Sequence, residues 1–275
     1  MFHQNQKIMK KLALLTVCLA FTAYTFAQSS FYVSLGVGAG WCTARTYDLA
    51  NTATKANPVG LGKGFAPVLR AGIKVNDFMA IELGVAYRMG FNTKVNYEST
   101  LPVSAPLAST TGWDKYAGGM LQLVPAIVIQ PDFDLGSVSP YARVGVLVGI
   151  IPNIKDKFEQ TTGSNAITGV IKYTGGVSIG GSAAIGCDFD LSDMLALYVE
   201  IYYDAMAYSP TKSKVTKFTV NGEDKLGSLK TSQKETKFVK DLTGYAPADD
   251  SPSQALKNSF PMNNVGLNFG VKIKI

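Results

Sequence analysis

The amino-acid sequence predicts an all-β fold: an eight-stranded antiparallel transmembrane up-and-down β-barrel with short periplasmic turns and long extracellular loops. Three observations predict it. The chain starts with a secretory leader, eight segments alternate between large apolar residues and small or polar ones, and the links between segments are long and short in turn. Bacterial outer-membrane barrels have an even number of strands, which are joined by short turns on one side of the membrane and by longer loops on the other.

The first 27 residues have the order of a cleavable signal peptide. Lys7, Lys10 and Lys11 form a basic start, and the run over residues 12–26 is apolar and uncharged, with small Ala27 after it. A spanning helix needs about 20 apolar residues, so this shorter run favours a secretory signal over a membrane anchor. The sequence therefore predicts a signal peptide over 1–27, cleaved on export, and an outer-membrane β-barrel domain over 28–275.

Eight segments alternate with a period of two residues, which puts apolar side chains on one face and small or polar side chains on the other. In the last segment, for example, Val265 and Leu267 alternate with Gly266 and Asn268. The fourth segment is the weakest, because Pro125 cannot donate a backbone hydrogen bond. The eight segments are 31–41, 69–75, 81–91, 121–129, 144–150, 177–189, 195–207 and 265–275.

Long and short links alternate along the chain. Long links cover 43–65, 92–115, 151–169 and 209–262, and short links lie near Asn76, over 130–139 and near Asp190. A signal peptide delivers the first strand from the periplasm, so the long links are expected outside the cell. Val75 and Phe78 fall on opposite faces, so the first short link should have an odd number of residues unless a strand bulges.

Small and charged residues are expected to face the barrel interior, and bulky residues the lipid. Eight strands leave an interior just wide enough for side chains, which favours glycine and serine there. The bulky face carries aromatic residues near strand ends, such as Trp41, Tyr87 and Phe189, as the aromatic girdles of membrane barrels do. A soluble barrel or sandwich would have the opposite arrangement.

Composition excludes several function classes. Without the three leader lysines, 23 basic residues face 20 acidic ones, a balance too even for a nucleic-acid-binding protein. His3, the only histidine, lies in the leader, so the mature chain lacks the usual general base and a usual metal ligand. The glycines of 36–40 lie inside a predicted strand, which excludes a dinucleotide-binding loop. We expect no enzymatic activity, cofactor, metal or nucleic-acid partner.

Three motifs resemble those of a known architecture: SLGVGAG over 34–40, IELGVAYRMGF over 81–91 and VGLNFGVKIKI over 265–275. The mature chain resembles the small eight-stranded outer-membrane barrels of the OmpA, OmpX and OmpW type and the related β-barrel domain common in Bacteroidetes. The resemblance implies a monomer that contacts outer-membrane lipids and lipopolysaccharide and is inserted by the outer-membrane assembly machinery. Such barrels usually end on an aromatic residue, whereas this sequence ends on Ile275.

Charged residues on the polar faces of the predicted strands form the candidate site. Five of them are expected within one or two layers of the interior, and Arg88 and Asp204 higher. The set is either a selectivity filter or a plug of ion pairs. Acids and bases are interleaved, and a buried charge is tolerated only when paired, so the plug is favoured. The seven residues are Arg70, Glu82, Arg88, Arg143, Glu200, Asp204 and Lys272.

The last long link, 209–262, is rich in charge, with nine lysines and six acidic residues. Val220–Glu223 predicts a hairpin turn between β-prone arms, so strand seven is expected to extend beyond the membrane as a ribbon. This surface could bind an unidentified extracellular partner, bridge lipopolysaccharide phosphates through its lysines, or simply be solvated. The sequence leaves these alternatives open.

The function predicted from these features is a non-enzymatic barrel that anchors extracellular loops in a structural, adhesive or host-contact role. The alternative is a conduit for small apolar molecules, as the OmpW type implies. A conduit needs an open upper lumen with a lateral exit, and the apolar sequence around Val124 and Pro125 is its only indication. A lipid-modifying enzyme is disfavoured by the missing histidine.

Cell fractionation should recover the protein from outer membranes with Gln28 at its N-terminus, because the leader predicts export and cleavage after Ala27. Its electrophoretic mobility should change on boiling, since a folded barrel persists in detergent until heated. N-terminal sequencing and gels of boiled and unboiled samples make the measurement. A mainly periplasmic pool would contradict the predicted fold.

Overall fold

The structure, a computed structural model, describes residues 30–43, 46–48, 57–100, 109–131, 133, 135–246, 248–257 and 259–275. The signal peptide predicted over 1–27 lies outside these residues. The described residues contain eight long strands, one for each predicted segment. They are β1 (Phe31–Cys42), β2 (Gly64–Asn76), β3 (Met79–Gly90), β4 (Ser109–Ile129), β5 (Val138–Thr162), β6 (Ser178–Asp190), β7 (Leu195–Tyr208) and β8 (Asn264–Lys274).

Backbone pairing closes these eight strands into a barrel. Each strand pairs antiparallel with the next in the chain. The last strand returns to the first, with Phe269 of β8 opposite Val37 of β1. A closed ring satisfies the backbone hydrogen bonds of every strand, as the interior of a bilayer requires. The predicted fold class is confirmed.

The two faces of the wall follow the alternation of the sequence. Along β7, Leu197 and Val199 are exposed, whereas Tyr198 and Glu200 are buried. The exposed apolar side chains continue around the ring and form the lipid-facing band. Glycines make room inside: a Cβ on Gly36 would lie 2.0 Å from the hydroxyl oxygen of Tyr198. Large side chains fit in the narrow interior because small ones oppose them.

The short links are turns at one end of the barrel. Asp77 and Phe78 form the turn between β2 and β3, and the pairing shifts by one residue between Lys74 and Asn76. A bulge at Val75 therefore reconciles a two-residue turn with flanking residues on opposite faces. The link therefore has two residues and a bulge beside it, and not the odd number of residues expected in the absence of a bulge.

Two predicted strands are longer than expected, and the 151–169 link is not a loop. Strand β4 begins at Ser109, strand β5 runs to Thr162, and Asn165–Thr174 pairs back against β5 as a hairpin. The alternation that defines β5 breaks at Ile151, which has a positive φ of 52° next to a register shift. A bulge there shifts the alternation by one residue, so that the inward and outward positions exchange. The sequence pattern therefore ends at Ile151, although the strand continues to Thr162.

The upper strands continue the barrel wall. Gly149 of β5 pairs with Ser178 of β6, and Ile154 pairs with Tyr173 in the same register, so Asn165–Thr174 lies directly above β6. Strand Lys212–Val220 lies above β7 in the same way. We define the wall extension by its five strand segments, which are 93–100, 109–119, 152–162, 165–174 and 212–220.

The other elements are short. Asn221 and Gly222 have φ values of 51° and 85°, as a two-residue hairpin turn requires, so the turn predicted at Val220–Glu223 is confirmed. Among the described residues, no helix is both long and apolar enough to cross a membrane. The short elements are strands Thr46–Asp48, Asn57–Val59, Thr93–Thr100, Asn165–Thr174, Lys212–Val220, Glu223–Asp224, Glu235–Val239, Ser253–Leu256 and Phe260–Pro261, the 3₁₀ turn Leu226–Ser228 and helix Thr231–Lys234.

Substituting Val85→Arg should destabilise the barrel by about 2–4 kcal/mol, because Val85 lies halfway along β3 on the lipid-facing side. Ala86→Ser, one position along on the inward face, should be nearly neutral. Both values come from reversible unfolding in denaturant in the presence of lipid. Equal effects, or the reverse order, would mean that the two faces are assigned wrongly.

Candidate functional site

Four of the seven candidate residues meet in one layer of the barrel interior. Arg70 of β2 and Arg143 of β5 both donate from Nη2 to Oε1 of Glu200 on β7, the latter at 2.7 Å. Their Nε atoms lie 3.7 and 3.8 Å from Oε1 of Glu82 on β3. All four side chains are buried. Two bases and two acids balance each other, as buried charges must.

Neutral donors that were not predicted from the sequence complete this network. The Tyr141 hydroxyl donates to Oε2 of Glu200 at 2.9 Å, and Nδ2 of Asn268 donates to Oε1 at 3.0 Å. The Tyr32 hydroxyl donates to Oε2 of Glu82 at 3.0 Å. The guanidinium of Arg70 lies 5.2 Å from the ring centre of Tyr198. These four residues all occupy inward positions of the alternation, which was the signal available.

Lys272 lies outside the central network. Its Nζ pairs with the carboxylate of Asp188 and lies 4.8 and 5.0 Å from the ring centres of Tyr32 and Tyr141. Nearer the β8 end, Lys274 pairs with Asp190 at 2.6 Å. Asp188 is not among the seven residues predicted from the sequence, although it too occupies an inward position of its strand.

Arg88 and Asp204 form a separate pair nearer the outer end. Nη2 of Arg88 lies 2.6 Å from Oδ2 of Asp204, and Nη1 donates to the carbonyl oxygen of Gly62 at 3.3 Å. The pair thus joins β3, β7 and the first long link. Between it and the central network is a cavity of about 40 Å³, lined in part by Gln122 and Ser182. A polar cavity of that volume is large enough to hold water.

An apolar cluster fills the outer end of the barrel. Met120, Leu147 and Met206 lie on inward positions of β4, β5 and β7, and Leu61 and Met262 join them from the first and last links. The amide of Met262 donates to the carbonyl of Met206 at 2.9 Å, and that of Leu61 to the carbonyl of Pro261 at 3.2 Å. The two links are therefore fixed to each other and to β7 across the barrel mouth.

The described residues form four successive layers across the interior: the Lys272–Asp188 pair, the central network, the Arg88–Asp204 pair and the apolar cluster. Long side chains that are paired with one another can obstruct a narrow lumen. In the part of the chain that is described, no group of three or more His, Cys, Asp or Glu residues could hold a metal ion.

Comparison with known proteins gives the same architecture. The family model described as outer membrane protein beta-barrel domain matches residues 13–235. No curated protein matches the chain.

Among solved structures, the chain is similar to Neisserial surface protein A, with 13% identity over 90% of this chain and 99% of that chain and a TM-score of 0.36. It is also similar to the outer membrane protein OprG from Pseudomonas aeruginosa, with 13% identity over 90% and 96% of the two chains and a TM-score of 0.42. A major outer membrane protein from Thermus thermophilus has 12% identity over 89% and 99%, with a TM-score of 0.39.

Substituting Glu200→Ala should destabilise the barrel by about 3–5 kcal/mol, because Arg70 and Arg143 would lose the acid that both contact. Glu200 is only 1% exposed, so water cannot readily replace the carboxylate. The measurement is equilibrium unfolding in denaturant. The matched control is Glu223→Ala, which removes an acid from the exposed pair with Lys225 and should cost less than about 1 kcal/mol. Equal costs would show that the central network contributes little to stability.

Proposed function

Because this chain belongs to the outer membrane protein beta-barrel domain family, we propose that it is a non-enzymatic anchor that holds an extracellular β-structure on the outer membrane. Its role at the cell surface is structural, adhesive or one of contact with a host. The protein acts as a monomer without a cofactor or metal, and its leader over residues 1–27 is removed on export.

The observation that carries this proposal is the filled interior. The Glu200 carboxylate accepts hydrogen bonds from β2, β5 and β8, so the network spans the lumen from side to side. Above it, Met120 and Leu147 are buried in the apolar cluster. A selectivity filter needs charges that face water along an open path, whereas these charges face one another. The arrangement therefore supports a plug.

The second support is the way in which the extracellular part is attached. Strands β4 and β5 continue beyond the lipid-facing band into the wall extension, and Leu61 and Met262 tie two links across the mouth. The extension is thus an uninterrupted part of the fold and not a set of independent loops. A rigid surface structure on a sealed barrel suits an anchor.

A conduit for small apolar molecules is the second candidate. The apolar lining of the upper lumen, with Met120, Val124, Leu147 and Met206, is the observation that favours it. A conduit must also keep this region open. Leu61 and Met262 occupy the same cluster and close it among the described residues, which favours the anchor.

Catalysis is not part of the proposal. The mature chain has no histidine, and a carboxylate would have to be strongly shifted by its surroundings to replace it as a base near neutral pH. The carboxylate of Glu200 is fully engaged by Arg70, Arg143, Tyr141 and Asn268. It is therefore not free to accept a proton from a substrate.

Planar-bilayer recording tests the anchor against a pore. The purified wild type should conduct rarely or in small steps, because paired side chains obstruct its lumen. Glu200→Ala should raise the conductance, since it removes the acceptor that holds Arg70 and Arg143 in place. Glu223→Ala, the exposed control, should behave as wild type. A steady wild-type current whose ion preference, but not stability, changes in Glu200→Ala would sink the plug and favour a filter.

A further inference from the structure

The outward face of the wall extension carries lysines that lie directly opposite lysines of neighbouring strands. Residues paired across two strands share a face of the sheet. In one row, Lys155, Lys172 and Lys214 are successive partners on three strands. The rows on either side add more lysines at equivalent positions. In the described part of the chain the three rows contain Lys94, Lys115, Lys155, Lys157, Lys172, Lys212, Lys214, Lys217 and Lys237.

The same three rows contain a single acid within the described residues. Glu235 lies opposite Lys214 and accepts its hydrogen bond at 2.7 Å. This hydrogen bond, with the lysine charge, lowers the pKa of Glu235 from its usual value, so the acid stays ionised. For the other eight lysines, no ion pair occurs among the residues that the structure describes. The face is therefore strongly cationic.

The lysines cannot turn inward, because buried apolar side chains occupy the opposite face of the same strands. Ile154 and Tyr116 are buried there in the apolar cluster, and Tyr173 packs against it. A one-residue slip of a strand would exchange these side chains with the lysines. Like charges directly opposite each other destabilise a sheet. An anion that lies against the face would remove this repulsion.

The height of the lysine face above the lipid-facing band indicates which anion it binds. On β5, Val144 and Val146 belong to the lipid-facing band, exposed Ile151 follows, and Lys155 comes four residues later on the outward face. Four residues span about 13 Å of strand, or about 9 Å of height at a 45° tilt. The polar layer of a bilayer is about 5–8 Å thick on each side of the hydrocarbon core. The first lysine rows therefore lie at the headgroups and just above them.

We propose that this lysine face binds the phosphate groups of outer-leaflet lipid headgroups. Lysine suits this task as a compact charge that donates to phosphate oxygens, and several lysines together can bind one phosphorylated surface. The inference rests on the proposed anchor function, since it requires the wall extension to lie outside the cell. It gives the anchor a partner, the phosphate group of a lipid headgroup. The extension is then held to the membrane by lipid binding as well as by its continuity with the barrel strands.

The test measures lipid binding by the refolded mature protein in non-ionic detergent micelles. The probes are lipid A with two phosphates and the same lipid A with both phosphates removed. Wild type should prefer the phosphorylated lipid at least tenfold. The triple variant Lys155→Gln, Lys172→Gln, Lys212→Gln, in the two rows nearest the membrane, should bind the phosphorylated lipid about 100-fold more weakly, from roughly one factor of five per lysine near an anionic surface. Its binding of the phosphate-free lipid should not change.

The matched control is Lys234→Gln, Lys240→Gln, Lys257→Gln, which removes the same charge outside the three rows and should bind as wild type. Inorganic phosphate at the lipid concentration should displace nothing. If dextran sulfate, a soluble polyanion, binds wild type as tightly as the lipid does and competes with it, the occupant is soluble and the proposal is wrong. Equal binding by the triple variant and wild type would also overturn it.

Folding and topology are checked separately. The triple variant should retain the mobility change on boiling and unfold at the same or a higher denaturant concentration, because it removes like-charge repulsion. If it fails to fold, the single variant Lys172→Gln replaces it and should lose about fivefold in affinity. Protease added to intact cells should cut the 209–262 link. Protection of that link would overturn the anchor itself, whereas unchanged lipid binding overturns only this inference.

Discussion

The carboxylate of Glu200 ties the barrel together across its interior. It lies on β7 and accepts hydrogen bonds from Arg70 on β2, from Tyr141 and Arg143 on β5 and from Asn268 on β8. At this level the narrow lumen holds charged side chains, and burial forces them to neutralise one another. Tyr141 and Asn268 complete the neutralised network as hydrogen-bond donors.

The fold was largely predictable because each barrel strand has one apolar and one small or polar face. Every segment from 31–41 to 265–275 forms a strand, and all seven charged residues assigned to the inward face are buried in the interior. The upper parts of β4 and β5 were missed for a physical reason. Above Ile151 the outer face carries lysines in place of apolar residues, and the bulge shifts the alternation by one residue.

Which charges pair with each other was less predictable than which face of the strand each one occupies. Alternation gives the face of a residue but not its height, which depends on how far neighbouring strands are staggered around the ring. Lys272 was expected within the same one or two layers as the four charges of the central network, but it lies outside that network and pairs with Asp188. The tyrosines illustrate a second limit. Tyr32 and Tyr198 look like girdle residues by type, yet their positions put them inside, where their hydroxyl groups complete or adjoin the network.

Strand β5 runs without interruption from Val138 near the periplasmic turn to Thr162 at the outer tip. At about 3.3 Å per residue its 25 residues measure roughly 80 Å along the strand, nearly twice the thickness of a bilayer with its headgroups. Strand β4 pairs with it from Ile129 to Thr110. A pull on the outer tip along this pair stresses its hydrogen bonds in shear, many at once, instead of opening them one after another. The barrel is thus connected to its surface structure by an element that resists tension, and any object held at the tip is held against the whole membrane-embedded ring.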